Sequence, residues 1–313
     1  MKKFICFICM CMLLAPLFGQ QPTDSTTTEE DPFSMLEGLE DTEEPSDGRD
    51  DERVIATFKS GKVVNFHTIE TLGKRSLGFR ITHHFGPVNS GLNGFYGIDG
   101  PANVRLALDY SPSDYFQFGV GRTSQNKVYD LYAKYRFLSQ KQDNSMPISM
   151  AAFVEANIVT LENRPIRPGF ETGVFDNFAN RMAYVTQIMI ARKFSERFSL
   201  QIAPTYAHYN LVDENEDDNS LFALVTSGRA KLTKRTAITA EYAWRINDYA
   251  PNRQDLYNTL SLGFDVETGG HVFQMYFTNS FAINEAFVLR ETASPWEGGN
   301  FRFGFNISRS FWL

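Results

Sequence analysis

The chain has 313 residues, 42% of them apolar, with a formal net charge of −7. That length is enough for one sizeable domain, and 28 Phe and 13 Tyr beside three Trp favour strands over helices. All three cysteines, Cys6, Cys9 and Cys11, lie in the first 19 residues, which excludes a disulfide framework, a Cys-ligated zinc and a Cys nucleophile from the rest of the chain.

Residues 1–19 read as a secretory signal peptide: Lys2 and Lys3 precede an almost unbroken apolar run from Phe4 to Phe18. The run is shorter than the roughly 20 residues that cross a bilayer as a helix. Residues 20–52 carry 13 acids against Arg49 alone, whereas residues 53–313 carry 27 Lys and Arg against 24 acids. Such charge with Ser, Thr and Pro predicts a disordered acidic periplasmic leader. Its Phe33 to Leu39 stretch is a candidate docking motif for a periplasmic partner, with a solvated linker as the simpler expectation. Residues 53–75 form an N-terminal segment for which a plug and an extra strand both stand open.

From Ser76 to Leu313 one pattern repeats: 9 to 13 residues of alternating character, then a turn. In Phe301 to Ser308 the odd positions Phe301, Phe303, Phe305 and Ile307 are large and apolar, while the even ones are small or polar. Successive side chains on a strand point to opposite faces, so one face is greasy and the other wet. The same split holds for Leu77, Phe79 and Ile81 against Arg80 and Thr82. It holds for Val104, Leu106, Leu108 and Tyr110 against Arg105 and Asp109, and for Leu131, Ala133, Tyr135 and Phe137 against Asp130, Lys134 and Arg136. A soluble sandwich alternates too, but its strands are commonly five or six residues, whereas a tilted membrane span needs 9 to 11. No later stretch supplies 18 consecutive apolar residues. A closed barrel is the other permitted crossing.

The connections agree. Short turns at Ser111 to Asp114, Ser195 to Arg197, Thr233 to Arg235 and Glu267 to Gly270 fall between longer segments at Gly86 to Pro101, Glu162 to Asn180, Val212 to Asn219, Asn247 to Arg253 and Ala282 to Asn300. Transmembrane barrels have tight periplasmic turns and long outer loops. The fold expected is a closed antiparallel transmembrane β-barrel of about 12 strands, with both ends in the periplasm. Met182 to Phe194 alternates poorly and leaves the register there open.

Parity places Arg80, Arg105, Lys134, Arg136, Arg229, Arg245 and Arg302 in the lumen with Asp109, Asp130, Glu155, Glu241 and Asp265, seven cations against five anions. These charges either pair across strands in a filled barrel or select anions along an open path. At the end of the chain Phe305, Ile307, Phe311 and Leu313 resemble the C-terminal assembly signal of outer-membrane barrels. Leu313 stands where the terminal Phe is usual, and Arg309 interrupts the apolar face. That signal implies the barrel assembly machinery and outer-membrane lipid as partners.

The stretch from His67 to Gly86 (HTIETLGKRSLGFRITHHFG), followed by Gly97 to Arg105 (GIDGPANVR), resembles a Bacteroidota family of outer-membrane β-barrels known as a domain of unknown function. The resemblance covers roughly residues 55–313 and is most specific over the first 50 of these. It implies the fold and the cell outer membrane as address, and no activity.

Five histidines, His67, His83, His84, His208 and His271, form no zinc spacing, and no Ser sits in a nucleophile elbow. They are expected at rims or interfaces, and no catalytic residue, cofactor, metal or nucleic-acid partner is expected. The acidic run from Asp213 to Asn219 lacks the central Gly and distal Glu of a calcium loop and reads as a solvated tip. The leading functional expectation is a narrow channel or transporter for small solutes, with anionic ones as the finer expectation. A non-conducting accessory barrel comes second and an outer-membrane enzyme a distant third.

Overall fold

The computed structural model describes residues 53–163, 174–212, 217–247, 249–251, 255–268 and 270–313. The signal peptide and acidic leader read from the sequence lie outside these residues, as do positions 213–216 of the acidic run.

Twelve strands follow one another: β1 (Ser76–Pro87), β2 (Asn103–Ser113), β3 (Phe116–Thr123), β4 (Val128–Leu138), β5 (Ser149–Val159), β6 (Met182–Lys193), β7 (Phe198–Tyr209), β8 (Ser220–Lys231), β9 (Thr236–Arg245), β10 (Thr259–Thr268), β11 (His271–Thr278) and β12 (Arg302–Trp312). Each pairs antiparallel with its neighbours in sequence, and β1 pairs with β12 from Ser76 opposite Trp312 to His84 opposite Gly304, which closes the barrel. Closure leaves no edge strand, so ladder groups are satisfied without water. No helix among the described residues is long and apolar enough to cross a membrane.

Alternation decides the faces. In β4, Val128, Asp130, Tyr132 and Lys134 are buried while Tyr129, Leu131, Tyr135 and Phe137 are exposed. In β12, Arg302, Gly304 and Asn306 point inward between the half-buried Phe303, Phe305 and Ile307. The exposed outer face carries Leu106, Leu108, Val120, Val154, Phe222, Ile238, Leu262 and Phe277, an apolar surface that needs lipid rather than water around it.

At the rim nearest the start of β1, the connections are residues 114–115, 139–148, 194–197, 232–235 and 269–270. At the opposite rim they are 88–102, 124–127, 160–181, 210–219, 246–258 and 279–301. Short and long alternate along most of the chain, with two exceptions: residues 124–127 are a tight link on the long-loop rim, and 139–148, which hold the long turn at Asp143 to Pro147, are extended on the other. Residue 53 forms an isolated bridge with Lys141 of that extended connection, and Val54 N–H donates to Gln140 O at 2.8 Å. The longer turn therefore anchors the chain that precedes the barrel.

The poor alternation of Met182 to Phe194 has a packing cause. In β6 the inward residues Ala183, Val185, Met189 and Ala191 are buried and apolar, with Gln187 the one polar side chain among them, so both faces of the strand are mostly greasy. They contact other chain inside the barrel rather than solvent.

Candidate functional site in the lumen

Two segments enter the lumen from opposite rims. From the β1 side, residues 57–72 fold as a hairpin: Val63 N–H donates to Phe66 O at 3.1 Å, Thr68 N–H to Gly61 O at 2.9 Å, and Lys62 bridges to His67. From the other rim, the connection between β11 and β12 turns inward as α1 (Glu285–Glu291), with Glu285 to Leu289 all buried.

The wall holds the hairpin largely through its backbone. Glu241 accepts from three successive amides, Val64 at 3.3 Å, Asn65 at 3.1 Å and Phe66 at 3.0 Å, so the hairpin tip is a nest of N–H groups around one carboxylate. Gln201 accepts from Ile69 N–H at 2.7 Å and donates to His67 O at 2.9 Å. Gln274 donates to Val63 O at 2.9 Å, Asn306 to Val64 O at 3.1 Å, and Lys134 to Thr68 O at 3.0 Å and to Glu70 O. Leu72 N–H reaches Gln117 Oε1 at 2.9 Å. The hairpin's apolar side chains Phe58, Val63, Val64, Phe66 and Ile69 join one buried cluster with Phe153, Val185, Met189, Leu221 and Val225 of the wall and Phe287, Val288 and Leu289 of α1.

Hairpin and helix meet at His67 and Glu285, both fully buried. The His67 backbone N–H and Nδ1 each lie 2.7 Å from Glu285 Oε1, and the ring sits 4.5 Å from Tyr132 and 4.6 Å from Phe153. Burial pushes the Glu285 carboxyl up to about 8 despite Lys62 nearby, and burial with Lys62 and Lys134 holds the His67 imidazole well below its ordinary value. An imidazole held neutral thus shares a hydrogen bond with a carboxyl that favours its protonated form. Tyr209 O–H donates to Ala286 O at 2.5 Å, Tyr249 O–H to Arg290 O at 2.6 Å, and Asn284 Nδ2 to Asp130 Oδ2 at 2.8 Å, which ties α1 to the wall.

All twelve lumen-lining residues named from parity are buried or half-buried on inward positions, and most are engaged. Arg80 pairs with Asp109 at 3.2 Å, and Arg105 grips Asp130 with bonds of 3.0 and 2.5 Å. The Arg105–Asp130 pair reaches across β3, as does Tyr132 O–H to Asp109 at 2.6 Å, and the inward Gly119 and Gly121 of β3 leave the room; a Cβ on Gly121 would lie 2.5 Å from Arg105 Nη2. Arg136 meets Glu70 of the hairpin at 3.5 Å, and Arg229 meets Glu267 at 3.0 Å. Glu155 accepts from Asn157 at 2.8 Å, and Asp265 from Gln274 at 3.2 Å. Arg302 donates to Ser294 at 3.2 Å over the Phe281 ring, and Arg245 reaches Leu289 O at 3.4 Å.

The seven cations and five anions counted by parity are not all the charges inside: Glu70, Glu267, Glu285 and Asp217 also lie among the cations, with Lys62 and Arg290 added. Asp217 pairs with Arg290 at 3.2 Å. Of the five histidines expected at rims or interfaces, two sit at neither rim. His67 and His84 are fully buried inside, while His83 lies on the outer face, stacked at 5.3 Å on Phe305. Of the C-terminal set, Phe305 and Ile307 are half-buried on the outer face, and Phe311 and Leu313 are exposed where β12 ends. Among the described residues, no cluster of three or more metal-ligating side chains occurs.

Parity among charged residues leaves out Lys62, His67 and Glu70, which the plug alternative for the N-terminal segment covers, and Glu285, together with the carboxamides Gln117, Gln201 and Gln274. For Glu285 one signal was there: Ala286-Phe287-Val288-Leu289 is an apolar run in a loop otherwise expected to face water.

Solved structures of similar architecture include the NanC porin (8% identity, 76% of this chain and 100% of the porin aligned, TM-score 0.47), the KdgM porin (10%, 75% and 99%, 0.44) and an outer membrane channel from Pseudomonas putida F1 (16%, 78% and 98%, 0.41). At such identities and scores the likeness adds no argument about activity. No curated protein sequence matches the chain. The model of one family spans residues 58–311, nearly the whole barrel and most of the hairpin, and the chain thus belongs to the membrane-bound β-barrel domain family (DUF5777).

Proposed function

We propose that the protein is an outer-membrane channel for small solutes, closed in this conformation by the hairpin of residues 57–72 and opened when that hairpin withdraws toward the periplasm. The observation that carries the reading is the wall's hold on the hairpin. Glu241, Gln117, Gln201, Gln274, Asn306 and Lys134 are polar side chains of a lumen wide enough to hold a hairpin and a helix besides its own side chains. An eight-stranded barrel has no such room. With the hairpin gone, those groups would line a wet path.

Withdrawal has a cost. Each buried Phe, Ile or Val side chain contributes about 1.5–3 kcal/mol, so Phe58, Val63, Val64, Phe66 and Ile69 together keep the resting barrel shut. Opening then needs outside work, and the acidic leader immediately before the hairpin is a handle for a periplasmic partner bearing positive charge. The same apolar packing favours the second reading, a permanently sealed accessory barrel.

Planar-bilayer recording separates the two. The full chain should conduct rarely, and Phe66→Ser with Ile69→Ser should raise conductance steadily, because the apolar anchors lie in the hairpin and not in the wall. Adding Asn65→Cys and Ser261→Cys, whose native side chains lie 3.1 Å apart, should abolish that conductance on oxidation. The open variant should prefer anions, since Lys134 and Arg136 lose Thr68, Glu70 and their neighbours with the hairpin. A folded variant that stays silent sinks the channel reading.

A further inference from the structure

We propose that the lumen is a binding site for an extended polypeptide segment, which the protein's own hairpin occupies. The inference rests on the channel reading, because a second chain enters only when the hairpin leaves.

The argument lies in what the wall recognises. Its contacts to the hairpin go overwhelmingly to peptide groups: Val64, Asn65, Phe66, Ile69 and Leu72 N–H, and Val63, Val64, His67, Thr68 and Glu70 C=O. Gln201 bonds His67 O and Ile69 N–H at once, as the peptide group of a neighbouring strand would. Gln274 and Asn306 add donors to the carbonyls of Val63 and Val64. Main-chain recognition tolerates any side chain, and pockets supply what selectivity there is. Here the surroundings are apolar: Phe66 and Ile69 belong to one buried cluster with Phe153, Val185, Met189 and Val225.

A sugar or a small anion offers no regular alternation of N–H and C=O, and a wall made for either would not need carboxamides spaced to match a peptide. The chemistry fits an extended polypeptide carrying apolar residues. The covalently attached hairpin has an effective concentration that a free peptide cannot match, so the site is measurable only after the hairpin is weakened.

The test uses the full chain carrying Phe66→Ser and Ile69→Ser in detergent, with heat-modifiable gel migration to verify the folded barrel. Ile69→Ser alone serves if the pair fails to fold. The probes are a fluorescent peptide with the native sequence of residues 57–72, a shuffled peptide of the same composition, and maltohexaose as competitor. Both peptides should bind the variant with affinities within about tenfold of each other and bind the wild-type chain far more weakly. Gln201→Ala should weaken binding about tenfold, the loss of two hydrogen bonds. Maltohexaose should displace neither peptide. A variant that conducts but binds no peptide, or whose peptide is displaced by maltohexaose, overturns this inference and leaves the channel standing. A folded variant that neither conducts nor binds removes both.

Discussion

The barrel interior has two unlike halves. On β12 and β1 to β4 the inward residues are Arg80, Arg105, Asp109, Asp130, Lys134, Gln117 and Asn306, joined in ion pairs and hydrogen bonds. On β5 to β8 Phe153, Val185, Met189, Leu221 and Val225 join one buried apolar cluster, beside the inward polar Glu155, Gln187, Gln201 and Arg229. Both regions touch the same hairpin. Polar side chains from several strands, Gln201 of β7 and Glu241 of β9 among them, hold its backbone, while the apolar cluster of β5 to β8 takes up its side chains, and the difference teaches that one strand pattern, inward and outward by turns, supports two kinds of interior. Which kind forms depends on what the lumen must hold.

Single changes should hurt most in the polar half. Arg105 and Asp130 are fully buried and reach each other over Gly121, so removing one leaves the other charge without its partner. Arg105→Ala or Asp130→Ala should cost about 3–5 kcal/mol. Arg105→Met with Asp130→Leu should recover most of it, because a pair of similar volume without charge carries no desolvation penalty. Urea unfolding in detergent, followed by gel migration, reads the difference; equal losses in the single and double variants would show that the pair sets geometry rather than charge balance.

In the apolar half the expected loss is somewhat smaller. Met189 is fully buried on β6, and Met189→Ala should cost about 2–5 kcal/mol, toward the lower end if the hairpin settles into the space. The same change should raise conductance, since the hairpin's anchor is what is weakened. A destabilised barrel that remains silent would place Met189 in the wall's own packing and not in the hairpin's hold.

Much of this was legible before any coordinates. Strand faces in β1, β2, β4, β9 and β12 follow from alternation because each has lipid on one side and polar chain on the other. The reading faltered where that contrast disappears. Met182 to Phe194 is mostly apolar on both faces, inward Gln187 apart, because its inner face meets the buried apolar cluster, and period-2 patterning carries little information when both environments are greasy. The hairpin and α1 have no strand to give them parity, so Lys62, His67 and Glu70 could be placed in the lumen only as part of a possible plug, and Glu285 not at all. Inward Gly119 and Gly121 look in sequence like weak strand residues. Their use, as room for side chains crossing from β2 to β4, appears only once three strands lie side by side.

The smallest effect expected is one of pH at the contact between the two inserted segments. Glu285 faces Lys62 and His67 of the hairpin, Glu155 of β5 and Glu241 of β9, and burial raises its carboxyl from 4.5 to about 8. A carboxyl raised in the folded state binds its proton more tightly there than in the withdrawn state. Its contribution is therefore full below the unfolded value near 4.5 and is lost as pH climbs through about 8. His67 acts in the opposite sense, because its imidazole is held neutral: its contribution is present above the ordinary value of 6.5 and falls away as acid protonates it. The hairpin should thus be held most firmly at intermediate pH and loosen on either side. Protease cleavage between residues 57 and 72 in the folded barrel should accelerate above pH 8, and Glu285→Gln, which has no charge to acquire, should flatten that alkaline limb while leaving the acidic one. An alkaline limb unchanged by Glu285→Gln would assign it to another group in the cluster, with Lys62, also lowered by burial, the first to test.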